Sequence, residues 1–360
     1  MSAGEVSPGA MVRVADERGK FLGIALYSTA SQIAIRLISR ERAEDLQELL
    51  RHRLAEAIAY RERVVRNTNA YRLVYSEGDF LPGLIVDRYN DICSVQILTQ
   101  AMDAETVRQT IAAELVERLN PASIAERVDA RVRELERLPP RASGVICGGK
   151  TSTIFSMNGV RFHYDAVEGQ KTGAFLDQRE NYLAAAEYAR GEGLDVFCYQ
   201  GGFALHLAER CTKVTAVDSS RPALEVADRN AALNGREIEW IEANAFDLLR
   251  DYAASGQKYD VIVLDPPAFA KSRRNLDTAL RGYKELNLRA LKMLPPGGVL
   301  VTCSCSYHVS PAEFLEVVAG AGRDVHRNLR VIENRGQARD HPTVMGIPET
   351  AYLKCAIVSC

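Results

Sequence analysis

The segment Thr302-Cys303-Ser304-Cys305-Ser306 continues an aliphatic run, Val299-Leu300-Val301, and so carries two thiols to the end of what reads as a sheet strand. A thiol becomes a strong nucleophile on ionising, and then attacks electron-poor carbon. Strand alternation puts Cys303 and Cys305 on one face, with Ser304 opposite. Taken alone, the pair reads better as two small buried core residues. A second segment favours chemistry. Val261-Ile262-Val263-Leu264 is a buried-type strand ending in Asp265-Pro266-Pro267-Ala268-Phe269. Consecutive prolines stiffen the chain and forgo two amide donors. That arrangement would present Asp265, Pro266 and Pro267 to a planar group such as a base, with Phe269 to stack on it. If the base is a pyrimidine, a thiolate adding to carbon 6 turns carbon 5 into a nucleophile able to take an electrophilic methyl group.

The source of such a methyl is suggested upstream. Leu194 to Phe203 is an apolar strand that runs through Cys198-Tyr199-Gln200-Gly201-Gly202 into a helix. Glycines let a backbone approach a ligand closely, and the helix start offers free amides. Asp195, Cys198, Gly201 and Phe203 are the candidate contacts. The next strand, Val214-Thr215-Ala216-Val217, ends in Asp218-Ser219, with Asp218 lying 23 residues after Asp195. A carboxylate at that place takes ribose hydroxyls. The turn is not the G-x-G-x-x-G that cradles a pyrophosphate, so S-adenosylmethionine is the cofactor expected. After a third strand come Asn244 and Ala245. Asn244 either pairs with the adenine edge or caps a helix; the sequence favours neither.

Elements at three scales must position these groups. Residues 9–38 read as short strands, as in a small β-barrel, followed by a helix through Leu46, Leu50, Leu54 and Ile58. Strands near 71–75, 84–89, 91–98 and 123–127, with a helix at 104–119, read as a central α+β region. Beyond Val167, strands at 194–198, 213–217, 237–241, 259–264 and 298–302 alternate with helices near 202–210, 221–234 and 276–294. That rhythm predicts a doubly wound α/β sheet with ligands at its carboxyl edge.

Composition excludes several classes. The 360 residues are 47% hydrophobic and 26% charged, with net charge −2, so nucleic acid binding would need a local basic patch. The start resembles no signal peptide, and no apolar run reaches the ~20 residues of a membrane span. Eight irregularly spaced cysteines suggest neither a zinc site nor disulfides, hence a reducing cytoplasm and no metal.

These motifs resemble one family, the RlmI-like large-subunit ribosomal RNA cytosine methyltransferases. The resemblance spans nearly the whole chain. It is carried by Gly169-Gln170-Lys171-Thr172-Gly173-Ala174-Phe175-Leu176-Asp177-Gln178-Arg179, the Asp195 to Phe203 segment, Leu264 to Phe269, Cys303 to Ser306, Asp340-His341-Pro342 and Pro348 to Lys354. It implies a PUA-like RNA-binding domain with a linker helix (1–66), a central RNA-holding α+β domain (67–166) and a Rossmann-like class I methyltransferase domain (167–360). It also implies Gln178 and Arg179 at the cofactor or substrate site, and RNA as partner. Counting from Gly297-Gly298, relatives put the nucleophile in register with Cys305 rather than Cys303. Their helper cysteine near Asp-Pro-Pro is replaced here by Ala268 and Phe269, which leaves the base for the carbon-5 proton unassigned. Asn244 stands where an Asp is usual, and the PUA-like region looks shortened at its start. Lys271, Arg273 and Arg274, with Lys171 and Arg179, are the candidate phosphate contacts. A homodimer is left open. The rival readings are a guanine-nitrogen methyltransferase, which needs no thiol, and a non-catalytic RNA-binding assembly factor.

Overall fold

The computed structural model describes residues 6–167, 173–270 and 272–360. The chain forms two compact units. One comprises Met1–Met157, Tyr164–Leu176 and Arg339–Thr350; the other comprises Asn158–His163, Asp177–Ala338 and Ala351–Cys360.

The first unit opens with an antiparallel sheet of β1 (Met11–Ala15), β2 (Phe21–Tyr27) and β3 (Ile35–Ser39). The small barrel expected here is therefore, among the described residues, an open three-stranded sheet, too few strands to close on themselves. Its apolar face, Ile24, Leu26 and Ile38, joins Leu50 and Leu54 of helix α1 (Leu46–Val64) in a common core. Asp45 caps that helix by accepting from the Gln47 amide. A five-stranded sheet follows, in the order β4 (Ala70–Tyr75), β5 (Leu84–Tyr89), β6 (Ile92–Ile97), β7 (Ser123–Glu126) and β8 (Gly144–Gly148). Helices α2 (Gln100–Asp103) and α3 (Glu105–Leu119) make the crossover that lets β6 and β7 run parallel. Helix α4 (Ala130–Leu135), β9 (Ser152–Met157) and β10 (Val160–Asp165) lead toward the second unit.

The second unit is a seven-stranded sheet. Its strands are β11 (Glu192–Val196), β12 (Lys213–Asp218), β13 (Glu239–Glu242), β14 (Val261–Leu264), β15 (Val299–Ser304), β16 (Arg330–Arg335) and β17 (Lys354–Ser359). They lie in the order β13-β12-β11-β14-β15-β17-β16. Strands β11 to β15 pair in parallel, and β17 runs antiparallel to both its neighbours. Helices α5 (Arg179–Glu187), α6 (Gly202–Leu207), α7 (Arg221–Leu233), α8 (Ala245–Ser255), α9 (Leu276–Met293) and α10 (Pro311–Asp324) complete it. Strand β14 reads as an unbroken aliphatic run, and β15 opens as one, because a parallel sheet is covered on both faces. After β11 the chain steps outward to β12 and β13, then returns to β14 on the other side. The order reverses between β11 and β14, and a doubly wound sheet opens a crevice at the carboxyl ends there.

Candidate active site

Strand register brings the sequence motifs together. Val196 pairs with Leu264, and Leu264 with Thr302. The next residue on each strand, Phe197, Asp265 and Cys303, therefore emerges at one level of the carboxyl edge. The Asp265 amide donates to the Val196 carbonyl at 3.3 Å, which ties the two loops together.

The turn after β11 is tightly wound. Phe197, Tyr199 and Gly201 all have positive φ, at 69°, 49° and 83°. At Gly201 a Cβ would lie 2.9 Å from the Trp240 ring, so only glycine fits both the space and the backbone. A Cβ on Gly202 would meet the Tyr182 ring at 2.5 Å, which fixes the neighbouring position too. The Tyr199 amide donates to Asp218 Oδ2 and the Ser220 amide to Oδ1, both at 2.9 Å. Two amides thus aim the Asp218 carboxylate at the mouth of the turn. Ser219, beside it, is exposed.

Asp195 is fully buried. One oxygen accepts from the Ala204 amide at 2.8 Å, so that helix-start amide is not free for a ligand as the sequence suggested. The other, Oδ1, has no hydrogen-bond partner. Burial pushes this carboxyl well above the ordinary range, the Ala204 amide opposes the shift, and the charges of Asp265 and Asp218 add to it. A buried, unpartnered carboxylate oxygen has an obvious complement in a ligand ammonium. S-adenosylmethionine carries an ammonium, a ribose diol and a sulfonium, and these residues fit it: Asp195 for the ammonium, Asp218 for the ribose, the tight turn for close approach.

Asn244 caps α8, its Oδ1 accepting from the Phe246 and Asp247 amides. The capping alternative is therefore realised, and only the amide nitrogen is left for an adenine. Ala245, Cys198 and Phe203 are buried; the Cys198 thiol is pushed well above its usual range, chiefly by burial.

Around Asp265 the site is crowded with acid. Part of the residue reaches solvent, yet its carboxyl is hemmed in; burial first, then the Asp177 charge, push it up to about 7. The Gln178 amide opposes that shift, although its Nε2 makes no hydrogen bond of ordinary geometry. Gln178 is buried and accepts from Asn181 at 2.7 Å. Tyr352 donates to Asp177 Oδ2 at 2.5 Å. The Tyr182 hydroxyl is pushed well up, by burial and then by the charges of Asp265 and Asp177.

The two thiols are unlike. Cys303 is 0% exposed and sits opposite Cys355 on β17; burial pushes it well up. Cys305 lies one residue past the strand end and is partly exposed, its Sγ 3.9 Å from the Pro266 carbonyl. Burial, then Asp265 and Asp177, push its thiol up to about 11. Ser306 anchors the turn, its hydroxyl accepting from the Ala270 amide and meeting Tyr283 Oη at 2.9 Å.

Two expected contacts stand differently. Arg179 is 1% exposed, 3.6 Å from Glu180, and accepts from Asn158 through its carbonyl, which removes it from the exposed phosphate contacts. Phe269 is partly buried against Tyr283 and Phe246, with ring centres 4.8 and 6.0 Å away, so packing claims most of a ring expected to stack on a base. Lys171 and Lys271 lie outside the described residues. Pro266 is buried and Pro267 exposed. Sequence reading passed over Tyr182 and Tyr283, which reach the site from other elements; the glycine packed under Tyr182 was the one available hint.

Comparison with known proteins gives the family and the fold. The model of a family described as S-adenosylmethionine-dependent methyltransferase matches residues 99–352, and that of a PUA-like domain matches residues 1–40. The chain is 39% identical to the ribosomal RNA large subunit methyltransferase I of Photobacterium profundum, over 97% of this chain and 89% of that one. It is 37% identical to the protein of the same name from Yersinia pseudotuberculosis serotype O:1b, over 98% and 90%. Among solved structures it resembles an S-adenosylmethionine-dependent methyltransferase from Streptococcus mutans, with TM-score 0.84 at 18% identity, over 98% of this chain and 92% of that one. A methyltransferase crystallised with S-adenosylhomocysteine matches with TM-score 0.85 at 19% identity and the same coverage. At such identities these two likenesses speak to the fold.

Proposed function

The chain belongs to the S-adenosylmethionine-dependent methyltransferases, and from that premise we propose that it methylates carbon 5 of a cytosine in large-subunit ribosomal RNA through covalent attack by Cys305. The observation that carries the covalent half is the contrast between the thiols: Cys303 is sealed in the sheet, whereas Cys305 is partly exposed at the carboxyl edge beside Asp265. The named relatives carry the RNA half.

Each residue then has a task. Asp195 and Asp218 hold the cofactor, which when bound supplies an electrophilic methyl on sulfur. Gln178, Ser219, Ala245 and the Cys198 to Phe203 turn wall its pocket. Cys305, ionised, forms a bond to carbon 6, and the ring's electron pair moves toward carbon 5. Asp265, holding its proton up to about pH 7, donates to ring nitrogen 3 and so neutralises the charge the attack creates. Pro266 and Pro267 fix the loop that places that carboxyl. After methyl transfer the carbon-5 proton passes to water, the sulfur–carbon bond breaks with its electron pair returning to Cys305 as thiolate, and nitrogen 3 gives its proton back to Asp265. We read 1–66 as the PUA-like part and 67–166 as the central part that hold the RNA, with 167–360 as the catalytic part. The eight free thiols suit a reducing cytoplasm.

The test compares the protein and its Cys305→Ala variant on ribosomal RNA, with the product nucleosides resolved by mass spectrometry. The expected result is 5-methylcytidine from the former and a loss of at least a hundredfold in the latter. Full activity in the variant, or methyl on a guanine nitrogen, would overturn the covalent reading.

A further inference from the structure

Lys354 is an unusual lysine. It is 6% exposed, and its Nζ donates to the Ser306 carbonyl at 2.6 Å and the Tyr352 carbonyl at 2.8 Å. No carboxylate pairs with it among the described residues, although a buried ammonium is normally retained only with a counter-charge. The first residue of β17, it lies opposite Ser304, one residue before Cys305. One of its two hydrogen bonds is to the residue directly after Cys305. The ammonium is thus clamped onto the Cys305 turn by backbone alone.

We propose that Lys354 is the positioning cation of Cys305, a buried ammonium that holds the Cys305-Ser306 turn and favours the thiolate form of the nucleophile. The proposal rests on the reading of Cys305 as nucleophile. It answers a difficulty in that reading: the carboxylates facing Cys305 oppose its ionisation. Asp265 at the end of β14 and Asp177 before α5 both raise the thiol, whereas the charge of Lys354 lowers it. The remaining titratable groups facing this turn are Tyr283 on α9, Tyr182 on α5, and the buried thiols Cys303 and Cys355. Burial works against ionisation of Tyr283, Tyr182 and Cys303. Lys354 itself is pushed down to about 8 by burial, with the Cys305 charge pulling the other way. Its help is therefore present at neutral pH and fades as pH rises through about 8. In the step itself the S–H bond breaks, the electron pair stays on sulfur, and the proton leaves to water at the exposed side of Cys305. The thiolate so formed is the species that adds to carbon 6.

A purely structural lysine would not change how Cys305 titrates, so the test reads that property directly. The full-length protein, Lys354→Met and Lys354→Arg are alkylated with iodoacetamide between pH 6.5 and 9.5, and the rate at the Cys305 peptide is followed by mass spectrometry. Exposed Cys147 serves as reference, and buried Cys93 and Cys303 report unfolding if they become labelled. Asp265, which also faces the thiol, ionises near pH 7 in all three proteins; above that pH the native rate at Cys305 should climb tenfold per unit and then bend near pH 8 as the ammonium is lost, and only this bend near pH 8 is the readout. Lys354→Met should react about tenfold more slowly at pH 7.5, the effect of one unit in the thiol pKa, and show no bend. Lys354→Arg, whose charge persists, should match or exceed the native rate and also show no bend. An unchanged rate and profile at Cys305 in Lys354→Met would overturn the proposal. Should that variant label Cys303, the Arg profile decides, and a bend kept there overturns it equally. The covalent reading fails separately: methylation by Cys305→Ala would sink it whatever Lys354 does.

Discussion

Asp265→Asn puts a number on the strain built into the site. The native carboxyl moves from an ordinary 3.8 to about 7, because burial and then the Asp177 charge disfavour its ionised form. Three units at ~1.36 kcal/mol each set a ceiling of about 4 kcal/mol on the folding stability lost once the group ionises. Part of Asp265 meets solvent, which screens the charge, so about 2 kcal/mol is the working figure. The sign follows from the proton balance. Between the unfolded value and about 7 the folded state binds more protons, so stability is full below pH ~4 and is lost as pH rises through 7. Asparagine has nearly the same shape and no charge to bury. The variant should match the native protein at pH 4 and exceed it at pH 8 by about 2 kcal/mol, or several degrees in melting temperature. Thermal melts across that range, under conditions where both refold, supply the measurement. Catalysis should move the other way, falling by a hundredfold or more, because asparagine cannot deliver a proton to nitrogen 3. A variant no more stable than the native protein at pH 8 would refute the argument from burial. One that kept full activity would remove Asp265 from the mechanism.

Asp195→Asn should weaken S-adenosylmethionine binding ten- to a hundredfold by calorimetry, since a charge-assisted hydrogen bond contributes about 1.5–3 kcal/mol. Gly201→Ala forces a side chain at φ 83° toward Trp240, so it should cost about 2 kcal/mol or more in denaturant unfolding and weaken cofactor binding.

The parts of this molecule that the sequence revealed are those that local pattern determines. The five parallel strands fall within two or three residues of their expected positions, because each holds a short apolar stretch bounded by turn residues or charge. Helix α8 escaped notice, although its cap, Asn244, was weighed as one. The N-terminal strands were visible, but whether they close into a barrel depends on partners that spacing does not supply. Long-range placement was hidden for the same reason. Strand β17 enters the sheet antiparallel between β15 and β16, and only that insertion sets Lys354 opposite Ser304. Likewise nothing local foretells that Arg179 is buried, or that Phe269 is taken up by Tyr283 and Phe246.

The acids at the carboxyl edge carry one further consequence. Asp195 and Asp265 are both held above their ordinary range, so the site by itself tends toward neutrality, as a place prepared for a ligand that brings positive charge. S-adenosylmethionine brings two such charges, the ammonium and the sulfonium, whereas its product S-adenosylhomocysteine keeps only the ammonium. Both ligands present the same ammonium to Asp195, and the difference between them reads the charge near the transferred methyl. On the proposed reading that charge lies close to Asp265, whose ionised form attracts the sulfonium. Below pH 7 the carboxyl is protonated and the two ligands should bind nearly equally. As pH rises through about 7 the preference for S-adenosylmethionine should grow several-fold, and Asp265→Asn should abolish the growth. Paired calorimetric titrations at pH 6 and 8 decide it. A ratio that stays flat in the native protein would mean that the sulfonium does not sit beside Asp265, and the assignment of that carboxyl to the reacting centre would fall with it.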